Sequence, residues 1–278
     1  MIYKKIPLDP TDESVYLEVY AADKVGSFVR NAILVIPGGG YSMVCSDREG
    51  EPIALAFLPY GYNSFVLHYS VTENSDKHFP AQLIQASLAI KHIRDHAEEY
   101  NIDPEKVFVT GFSAGGHLTA SIGTLWHLKE IYEAVDMPYG YNKPNGIMPV
   151  YPVICMEKFS HPGSFENLWG CTGLTEEQKL AVSIEKHVDE KSAPAYIVHT
   201  ANDQVVPVQN ALVLANAYAE SGVPFELHVY PDGPHGMALG NQITQCGEEK
   251  YNEPCFAKWI EHAALWAEKA AKQSKKEE

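Results

Sequence analysis

The sequence predicts an α/β fold in which a doubly wound, mostly parallel sheet carries helices on both faces. Short continuous apolar runs, which are typical of strands buried on both faces, recur along the 278 residues. Segments with apolar side chains at helical spacing lie between these runs. Repeated strand–helix–strand units need right-handed crossovers, and successive crossovers build a sheet that helices cover on both sides.

Seven segments are predicted as strands. The first alternates apolar and polar residues and indicates an edge strand, whereas the other six are continuous apolar runs that indicate strands in the interior of the sheet. In chain order the seven segments are residues 15–21, 32–36, 64–69, 106–110, 146–154, 195–200 and 225–230.

Helices are predicted between these strands and after the last of them. They are residues 51–58, 80–100, 114–125, 208–221 and 252–272. The dipeptide Asp103-Pro104 is expected to break the second helix. Gly222 is expected to end the fourth helix, because glycine is favoured just past a helix end.

Residues 158–191 interrupt this alternation. The segment contains a Pro-Gly pair, a Trp-Gly pair and a short helical pattern near residues 175–182, and it is far longer than a crossover needs. We expect it to form a small insertion, after the strand at 146–154, over the carboxyl edge of the sheet where α/β proteins bind ligands. Because no linker composition is found, residues 1–278 are expected to form a single domain.

The composition argues against several classes of partner. A net charge of −15 at pH 7 disfavours binding to nucleic acid or to an anionic membrane surface. No apolar run approaches the roughly 18 residues of a membrane-spanning helix. No apolar segment follows Lys4-Lys5 as it would in a signal peptide, so a cytoplasmic protein is expected. The sequence leaves open whether the chain forms a homo-oligomer.

Five cysteines are spread over the chain, at positions 45, 155, 171, 246 and 255. Their number is odd and no CxxC pair occurs, so unpaired thiols are expected, although the sequence leaves a bond between Cys246 and Cys255 open. No group of His, Cys, Asp and Glu has the spacing of metal ligands. We therefore expect neither a metal site nor a cofactor.

Residues 111–115, GFSAG, fit the G-x-S-x-G pattern and stand between a predicted strand and a predicted helix. In this context the pattern marks a sharp turn that holds the serine hydroxyl above the sheet. The glycines let the backbone bend without side-chain collisions, and the helix N-terminus favours negative charge beside the serine. Ser113 is therefore predicted as a nucleophile. The alternative is a turn of small residues that packs the helix on the strand.

A serine hydroxyl needs a base, and His235 is the predicted base among the twelve histidines. It lies in the PDGPHG loop, residues 231–236, directly after the last predicted strand, so its imidazole is expected at the same sheet edge as Ser113. The alternative is a histidine in a surface loop. His117 lies one helical turn beyond Ser113 and is expected to point away from the hydroxyl.

Asp203 is predicted to accept a hydrogen bond from the far nitrogen of the imidazole, which fixes the tautomer and stabilises the imidazolium. It lies in the ANDQVVP segment that follows the strand at 195–200, and serine, aspartate, histidine is the chain order of such triads. Asp232 is the rival. It stands only three residues before His235 and is expected to serve the turn instead.

Acyl transfer also needs backbone N–H donors for the negative oxygen of the tetrahedral intermediate. Ala114, the residue after the predicted nucleophile, supplies one donor. Residues 38–40 are three glycines after the strand at 32–36, and we expect further donors from them, because glycine permits close approach and positive φ. Neither GxGxxG nor GxxxxGK occurs, so a phosphate-binding loop is not favoured.

Four motifs in order, PGGGY, GFSAGGH, ANDQVVP and PDGPHG, resemble those of the α/β-hydrolases. Within that superfamily they resemble the esterase and lipase group that includes acetyl esterases and bacterial acetyl-xylan-type esterases. The resemblance extends from about residue 33 to residue 237 and implies the α/β-hydrolase fold. It implies as catalytic triad Ser113, Asp203 and His235, and as oxyanion hole the N–H groups of Gly39, Gly40 and Ala114.

Residues 47–51, DREGE, resemble a segment common to sugar-ester hydrolases of this group, which favours acetylated carbohydrates as substrates. The alternative is a solvated helix start, where acidic residues are favoured. Two features depart from the relatives. Pro37 stands where lipolytic relatives usually carry histidine, so their loop-stabilising contact is absent or replaced. The residues before Pro37 include a predicted strand, so no large N-terminal cap is expected and a long-chain lipase is disfavoured.

The predicted function is therefore hydrolysis of short-chain esters, foremost acetyl esters, of small molecules such as xylo-oligosaccharides. An amidase, arylformamidase-like or peptidase-like activity would use the same triad and stays open. A non-catalytic binding protein on this scaffold would usually lack a triad member. Tyr41 and Trp169 are candidate substrate contacts. Together with Phe165 and Leu168, Trp169 either lines a pocket or belongs to a local core.

Overall fold

The computed structural model describes residues 1–274 and contains one eight-stranded sheet with helices on both faces. The strands are β1 (Ile2–Pro7), β2 (Tyr16–Ala21), β3 (Arg30–Ile36), β4 (Tyr62–His68), β5 (Ile102–Phe112), β6 (Gly146–Val150), β7 (Ala195–Thr200) and β8 (Phe225–Tyr230). Their order is β1-β2-β4-β3-β5-β6-β7-β8. The pairs from β4 to β8 are parallel, while β1 and β2 run antiparallel to their neighbours. The predicted doubly wound, mostly parallel sheet is confirmed.

Two apolar cores cover the two faces of the sheet. The helices are α1 (Ser46–Glu49), α2 (Glu51–Phe57), α3 (Ala81–Asp95), α4 (Ala97–Tyr100), α5 (Ala114–Thr124), α6 (Lys129–Ala134), α7 (Pro162–Trp169), α8 (Glu176–Val182), α9 (Gln209–Ser221) and α10 (Trp259–Ser274). In β3, Leu34 and Ile36 face the core that contains α3, α5 and α9. Ile33 and Val35 face the core that contains α2 and α10. Burial on both faces explains why this strand is a continuous apolar run.

The N-terminal edge of the sheet differs from the prediction. β2 is not an edge strand, because β1 pairs with it on the outer side. β1 escaped prediction because its side chains are half exposed and include Lys4 and Lys5, and charged side chains are common on edge strands. Within the described residues, the elements that precede β3 are the strands β1 and β2.

Two predicted helices have different ends. The helix predicted at 80–100 is divided at His96, and Asn101 stops it with a φ of 51°, a left-handed conformation that asparagine tolerates. The dipeptide Asp103-Pro104 instead lies inside β5. The last helix begins at Trp259 and not at 252, because Pro254 restricts the residue before it to extended backbone.

The segment between β6 and β7 contains α7, α8 and a short 3-10 turn (Ile184–Lys186), which matches the predicted insertion after the strand at 146–154. All five cysteines carry free thiols, so Cys246 and Cys255 do not pair. Within residues 1–274, no helix has the length and apolar character needed to cross a bilayer.

Candidate active site

Ser113 stands in a sharp turn between β5 and α5. Its φ of 53° and ψ of −117° lie outside the usual regions for a residue with a side chain, and such backbone strain costs about 1–3 kcal/mol. The flanking glycines make the turn possible. A Cβ on Gly111 would lie 2.2 Å from the Thr119 hydroxyl oxygen, and a Cβ on Gly115 would lie 2.1 Å from the Ile36 carbonyl oxygen. Glycine is therefore required where α5 packs against the strands.

The structure brings Ser113 and His235 together. The His235 Nε2 atom lies 2.8 Å from the Ser113 hydroxyl oxygen, although 122 positions separate the two residues in the chain. His235 follows β8, and its side chain is mostly buried with 16% exposed. Its ring lies edge-on against Tyr151, with ring centroids 5.1 Å apart. An imidazole at this distance can take the proton of the hydroxyl.

Asp203 completes a continuous line of hydrogen bonds. The His235 Nδ1 atom lies 2.7 Å from Asp203 Oδ2. The other oxygen, Oδ1, accepts the backbone N–H groups of Val205 at 2.8 Å and Val206 at 3.0 Å. Burial alone would raise the pKa of Asp203, but the hydrogen bond from His235 and the two N–H donors outweigh it and hold the pKa below its ordinary value. The carboxylate is therefore ionised where it meets the imidazole.

The rival residues lie elsewhere. Asp232 is exposed and accepts a hydrogen bond from the Asn202 amide at 3.3 Å, so it serves the turn as expected. His117 is buried and bonds to Tyr41 and to the Val182 carbonyl oxygen, away from the Ser113 hydroxyl.

The glycine loop after β3 lies against the nucleophile turn. A Cβ on Gly38 would come within 2.7 Å of the Phe112 carbonyl oxygen and 3.1 Å of the Ser113 Cβ. Gly39 has a φ of 126°, and a Cβ there would lie 2.1 Å from the Met43 carbonyl oxygen. The first-turn N–H groups of α5, which begins at Ala114, have no acceptor inside the helix. The loop and the helix start thus offer backbone donors beside Ser113.

Pro37 leaves the glycine loop without the histidine of lipolytic relatives, and other side chains hold it. The Tyr69 hydroxyl donates to the Pro37 carbonyl oxygen at 2.7 Å. The Gly38 N–H donates to Glu49 Oε2 at 2.8 Å. The loop-stabilising contact is therefore replaced, and it comes from the acidic segment that follows the loop.

The interpretation of residues 47–51 as a solvated helix start is wrong for Glu49, one of its three acidic residues. Asp47 and Glu51 are exposed, but Glu49 is only 6% exposed and lies under the glycine loop. One sequence alone cannot distinguish Glu49 from its two acidic neighbours, because charge predicts exposure for all three.

Tyr41 and Trp169, the two candidate substrate contacts, both pack against other side chains of the protein. Tyr41 is 1% exposed, and its hydroxyl lies 2.7 Å from His117 Nδ1. These contacts favour a packing role for Tyr41 over the predicted substrate contact. Trp169 packs against Phe79 with ring centroids 5.1 Å apart, and its indole N–H is buried. Phe165 and Leu168 are fully buried. Of the two interpretations of the insertion's apolar residues, the structure favours the local core.

The insertion nevertheless contacts the candidate site. The Asn167 side-chain amide of α7 donates to the Gly40 carbonyl oxygen at 2.9 Å. Ser164 in the same helix lies next to Gly40, 3.7 Å from the position of a Cβ there, and its hydroxyl is 2.9 Å from His161 Nδ1. The segment thus packs directly on the glycine loop beside Ser113.

His117 connects three parts of this region and should make stability depend on pH. It bonds to Tyr41 after the glycine loop and, at 2.8 Å, to the Val182 carbonyl oxygen of the insertion. The Nε2–H therefore donates to that carbonyl, while Nδ1 accepts from the Tyr41 hydroxyl. Burial lowers the pKa of His117 from 6.5 to about 4. Between these pH values the unfolded chain binds a proton that the folded chain does not, so stability falls as pH falls.

We expect this loss to be visible by comparison with a His117→Gln variant. One histidine changes the free energy of unfolding by at most about 1.4 kcal/mol per pH unit, and it is half protonated in the unfolded chain at pH 6.5. Lowering the pH from 6.5 to 5 should therefore cost the wild type about 1.6 kcal/mol more than the variant. Urea unfolding of both proteins at the two pH values measures the difference. Equal pH dependence of the two proteins would show that folding does not lower the pKa of His117.

Comparisons with known proteins agree on one family. The family model described as BD-FAE matches residues 17–218. Endo-1,4-beta-xylanase B of Butyrivibrio fibrisolvens is 38% identical over 218 residues, which make up 76% of this chain and 33% of that protein. The acetylxylan esterase of Xylanibacter ruminicola is 32% identical over 216 residues, or 75% of this chain and 41% of that protein. The chain thus spans only about a third to two fifths of the length of these relatives.

A solved structure resembles the whole chain. The acetyl ester-xyloside bifunctional hydrolase from Caldicellulosiruptor lactoaceticus superposes with a TM-score of 0.80 at 33% sequence identity, and the match covers 96% of both chains. This likeness covers more of the chain than residues 33–237, over which the four sequence motifs are spread.

Proposed function

Because the chain belongs to the BD-FAE family of the α/β-hydrolase superfamily, we propose that it is a serine carboxylesterase that hydrolyses short-chain acyl esters, foremost acetyl groups on carbohydrates such as xylo-oligosaccharides. The observation that carries the proposal is the line of hydrogen bonds from Ser113 through His235 to Asp203, with distances of 2.8 and 2.7 Å. A strained serine beside an imidazole and a buried carboxylate is suited to acyl transfer.

In the proposed mechanism the Ser113 oxygen attacks the ester carbonyl carbon while His235 Nε2 accepts the hydroxyl proton. Asp203 stabilises the resulting imidazolium through Nδ1–H. The carbonyl oxygen becomes an oxyanion and accepts hydrogen bonds from backbone N–H groups of Gly39, Gly40 and Ala114. When the tetrahedral intermediate collapses, the bond to the alcohol breaks and His235 protonates the leaving oxygen.

The second half of the reaction repeats these steps with water. His235 accepts a proton from a water molecule, whose oxygen attacks the acyl-enzyme carbonyl carbon. Collapse of this intermediate returns the proton from His235 to the Ser113 oxygen and releases the carboxylic acid. Every proton in the cycle passes through one imidazole, so this triad chemistry needs no cofactor.

Two observations support an acetylated carbohydrate as the substrate. The relative from Xylanibacter ruminicola is named as an acetylxylan esterase, and the structural neighbour is named as an acetyl ester-xyloside hydrolase. The apolar residues of the insertion form a buried local core, and α7 packs on Gly40. An insertion held this closely against the glycine loop favours a small acyl group over a long chain.

We expect kcat/KM for p-nitrophenyl acetate to exceed that for the octanoate ester by at least about 10-fold, because even a few methylene groups change discrimination by that much in a fitted pocket. Initial rates with acetyl, butyryl and octanoyl esters measure the preference. Octanoate turnover equal to or faster than acetate turnover would contradict the short-acyl assignment.

The carbohydrate part of the proposal has its own test. Acetate release from acetylated xylo-oligosaccharides is measured against release from phenyl acetate and from acetanilide, with the Ser113→Ala variant as the blank. Faster turnover of the sugar ester is expected. Turnover of phenyl acetate without release from the sugar would contradict the carbohydrate substrate, and a preference for acetanilide would point to an amidase.

A further inference from the structure

Glu49 lies between two loops whose relative position matters for the proposed mechanism. One is the glycine loop, residues 38–40, and the other is the loop that carries His235, residues 231–238, called the histidine loop below. Its Oε2 atom accepts the Gly38 N–H at 2.8 Å on the side of the glycine loop. Its Oε1 atom accepts the Tyr151 hydroxyl at 2.8 Å on the other side. The residue is 6% exposed, so water does not compete for these two bonds. Nothing in the triad mechanism uses this carboxylate.

Tyr151 links Glu49 to the histidine loop. Its hydroxyl oxygen accepts the Ala238 N–H at 2.8 Å, three residues after His235. Its ring lies edge-on to the His235 imidazole, with centroids 5.1 Å apart. Tyr151 also has a φ of 36°, which is rare for a bulky residue and is found where the surroundings require it. This turn also explains why β6 ends at Val150 and not at 154 as predicted.

Arg48, the neighbour of Glu49 in α1, contacts the same histidine loop. Its guanidinium donates to the Gly236 carbonyl oxygen and lies over the Tyr251 ring, 4.6 Å from the ring centroid. Arg48 and Glu49, which are consecutive in α1, therefore contact the loops on both sides of the catalytic centre. Residue 48 holds the histidine loop, and residue 49 bridges the glycine loop and Tyr151.

The two donors around Glu49 are best accepted by an ionised carboxylate. Both partners donate to it, and the Tyr151 oxygen already accepts from Ala238, so a proton on Glu49 would leave one hydrogen without an acceptor. Burial raises the pKa of Glu49 above its ordinary value, although the Gly38 N–H, the Tyr151 hydroxyl and the nearby His235 and Arg48 oppose the rise. Only an acceptor with two free oxygens satisfies both loops, which a glutamine cannot do.

We propose that Glu49 and Tyr151 are positioning residues that fix the distance between the oxyanion donors and His235, a role that rests on the proposed serine-hydrolase function. Neither residue touches the reacting atoms. Glu49 sets the glycine loop through Gly38, and Tyr151 sets the imidazole through its ring and through Ala238. Loss of the link lets the two loops move independently, and a small misplacement of reacting groups is enough to slow acyl transfer.

The test compares Tyr151→Phe and Glu49→Gln with two matched controls. Tyr218→Phe removes a buried hydroxyl that donates to the Ala193 carbonyl oxygen at 3.0 Å, far from the site in α9. Glu18→Gln changes a buried carboxylate in β2 that accepts a tyrosine hydroxyl, that of Tyr20, at 3.1 Å. Each control changes the same atoms as its partner variant without touching either loop.

Four quantities are measured for every variant: kcat and KM for p-nitrophenyl acetate, the second-order rate of Ser113 labelling by a fluorophosphonate, and Tm. We expect Tyr151→Phe and Glu49→Gln to lower kcat and the labelling rate by about 10- to 100-fold, with KM within about twofold. The controls should lower Tm while kcat stays within about twofold. Because the two residues act through one link, the double variant should be little worse than the worse single variant.

A folded Tyr151→Phe protein with wild-type kcat and labelling rate would overturn the proposal, and so would equal losses in the controls. If Glu49→Gln does not fold, Tyr151→Phe decides, because it keeps the ring that packs on His235. A wild-type protein that labels at Ser113 but hydrolyses no ester refutes the esterase function alone, and the labelling rates of the variants still decide the positioning role.

Discussion

Replacement of Ser113 by alanine is expected to lower kcat for p-nitrophenyl acetate by about 10⁶-fold, to the small residual rate that an oxyanion hole and substrate binding provide without a nucleophile. The variant loses the oxygen that lies 2.8 Å from His235 Nε2 and with it the covalent intermediate. Alanine keeps the Cβ of serine, so the backbone strain at φ 53° is unchanged and the fold should be retained.

A control in the same helix separates this effect from damage to α5. Ser121→Ala removes a hydroxyl that is 1% exposed and donates to the His117 carbonyl oxygen at 2.8 Å. Its kcat should stay within about twofold of the wild type, as is usual for a change away from the reacting groups. Pre-steady-state bursts should be seen with wild type and Ser121→Ala and be absent from Ser113→Ala. Substantial ester turnover by Ser113→Ala would eliminate the proposed nucleophile.

Replacement of Asp203 by asparagine is expected to lower kcat by about 10⁴-fold, the loss that follows when the histidine of a triad is held in the wrong tautomer. The structure specifies how this would happen. Asp203 Oδ1 accepts the N–H groups of Val205 and Val206, so the oxygen of asparagine must stay at that position. The amide NH₂ then faces His235 Nδ1, which becomes an acceptor, and Nε2 carries a proton towards Ser113.

The tautomer can be observed directly. Nitrogen NMR of histidine-labelled protein should show the proton on Nδ1 in the wild type and on Nε2 in Asp203→Asn. Asp232→Asn is the matched control, since Asp232 is exposed and bonds only to the Asn202 amide among the hydrogen bonds found in residues 1–274. It should keep kcat within about twofold. A comparable loss in Asp232→Asn, with Asp203→Asn unaffected, would exchange the two residues' roles.

The three residues of the hydrogen-bonded line, Ser113, His235 and Asp203, could be predicted to lie together because their signals are local. Gly111 and Gly115 are required by contacts of 2.1–2.2 Å that any Cβ would make, and they frame Ser113 in the printed sequence. Asp203 and His235 follow buried strands, and the carboxyl ends of parallel strands meet at one edge of a sheet. Their convergence therefore follows from strand order and needs no knowledge of side-chain packing.

The surrounding contacts could not be predicted, because they depend on partners distant in the chain. Glu49 and Tyr151 are 102 positions apart and bond at 2.8 Å, and neither has a pattern of its own. Tyr41 follows the glycines and suggests a substrate contact, but its hydroxyl is taken by His117, 76 positions away. β1 was missed for a related reason, since its half-exposed residues become a strand only by pairing with β2.

The left-handed conformation of Ser113 has a consequence for the stability of the fold. Glycine adopts that conformation without strain. A glycine at 113 would therefore relieve the strain of the turn but would remove the hydroxyl. A serine at 113 therefore makes the fold less stable than a glycine would, and the stability supplied by the two apolar cores sets how much strain the turn can hold.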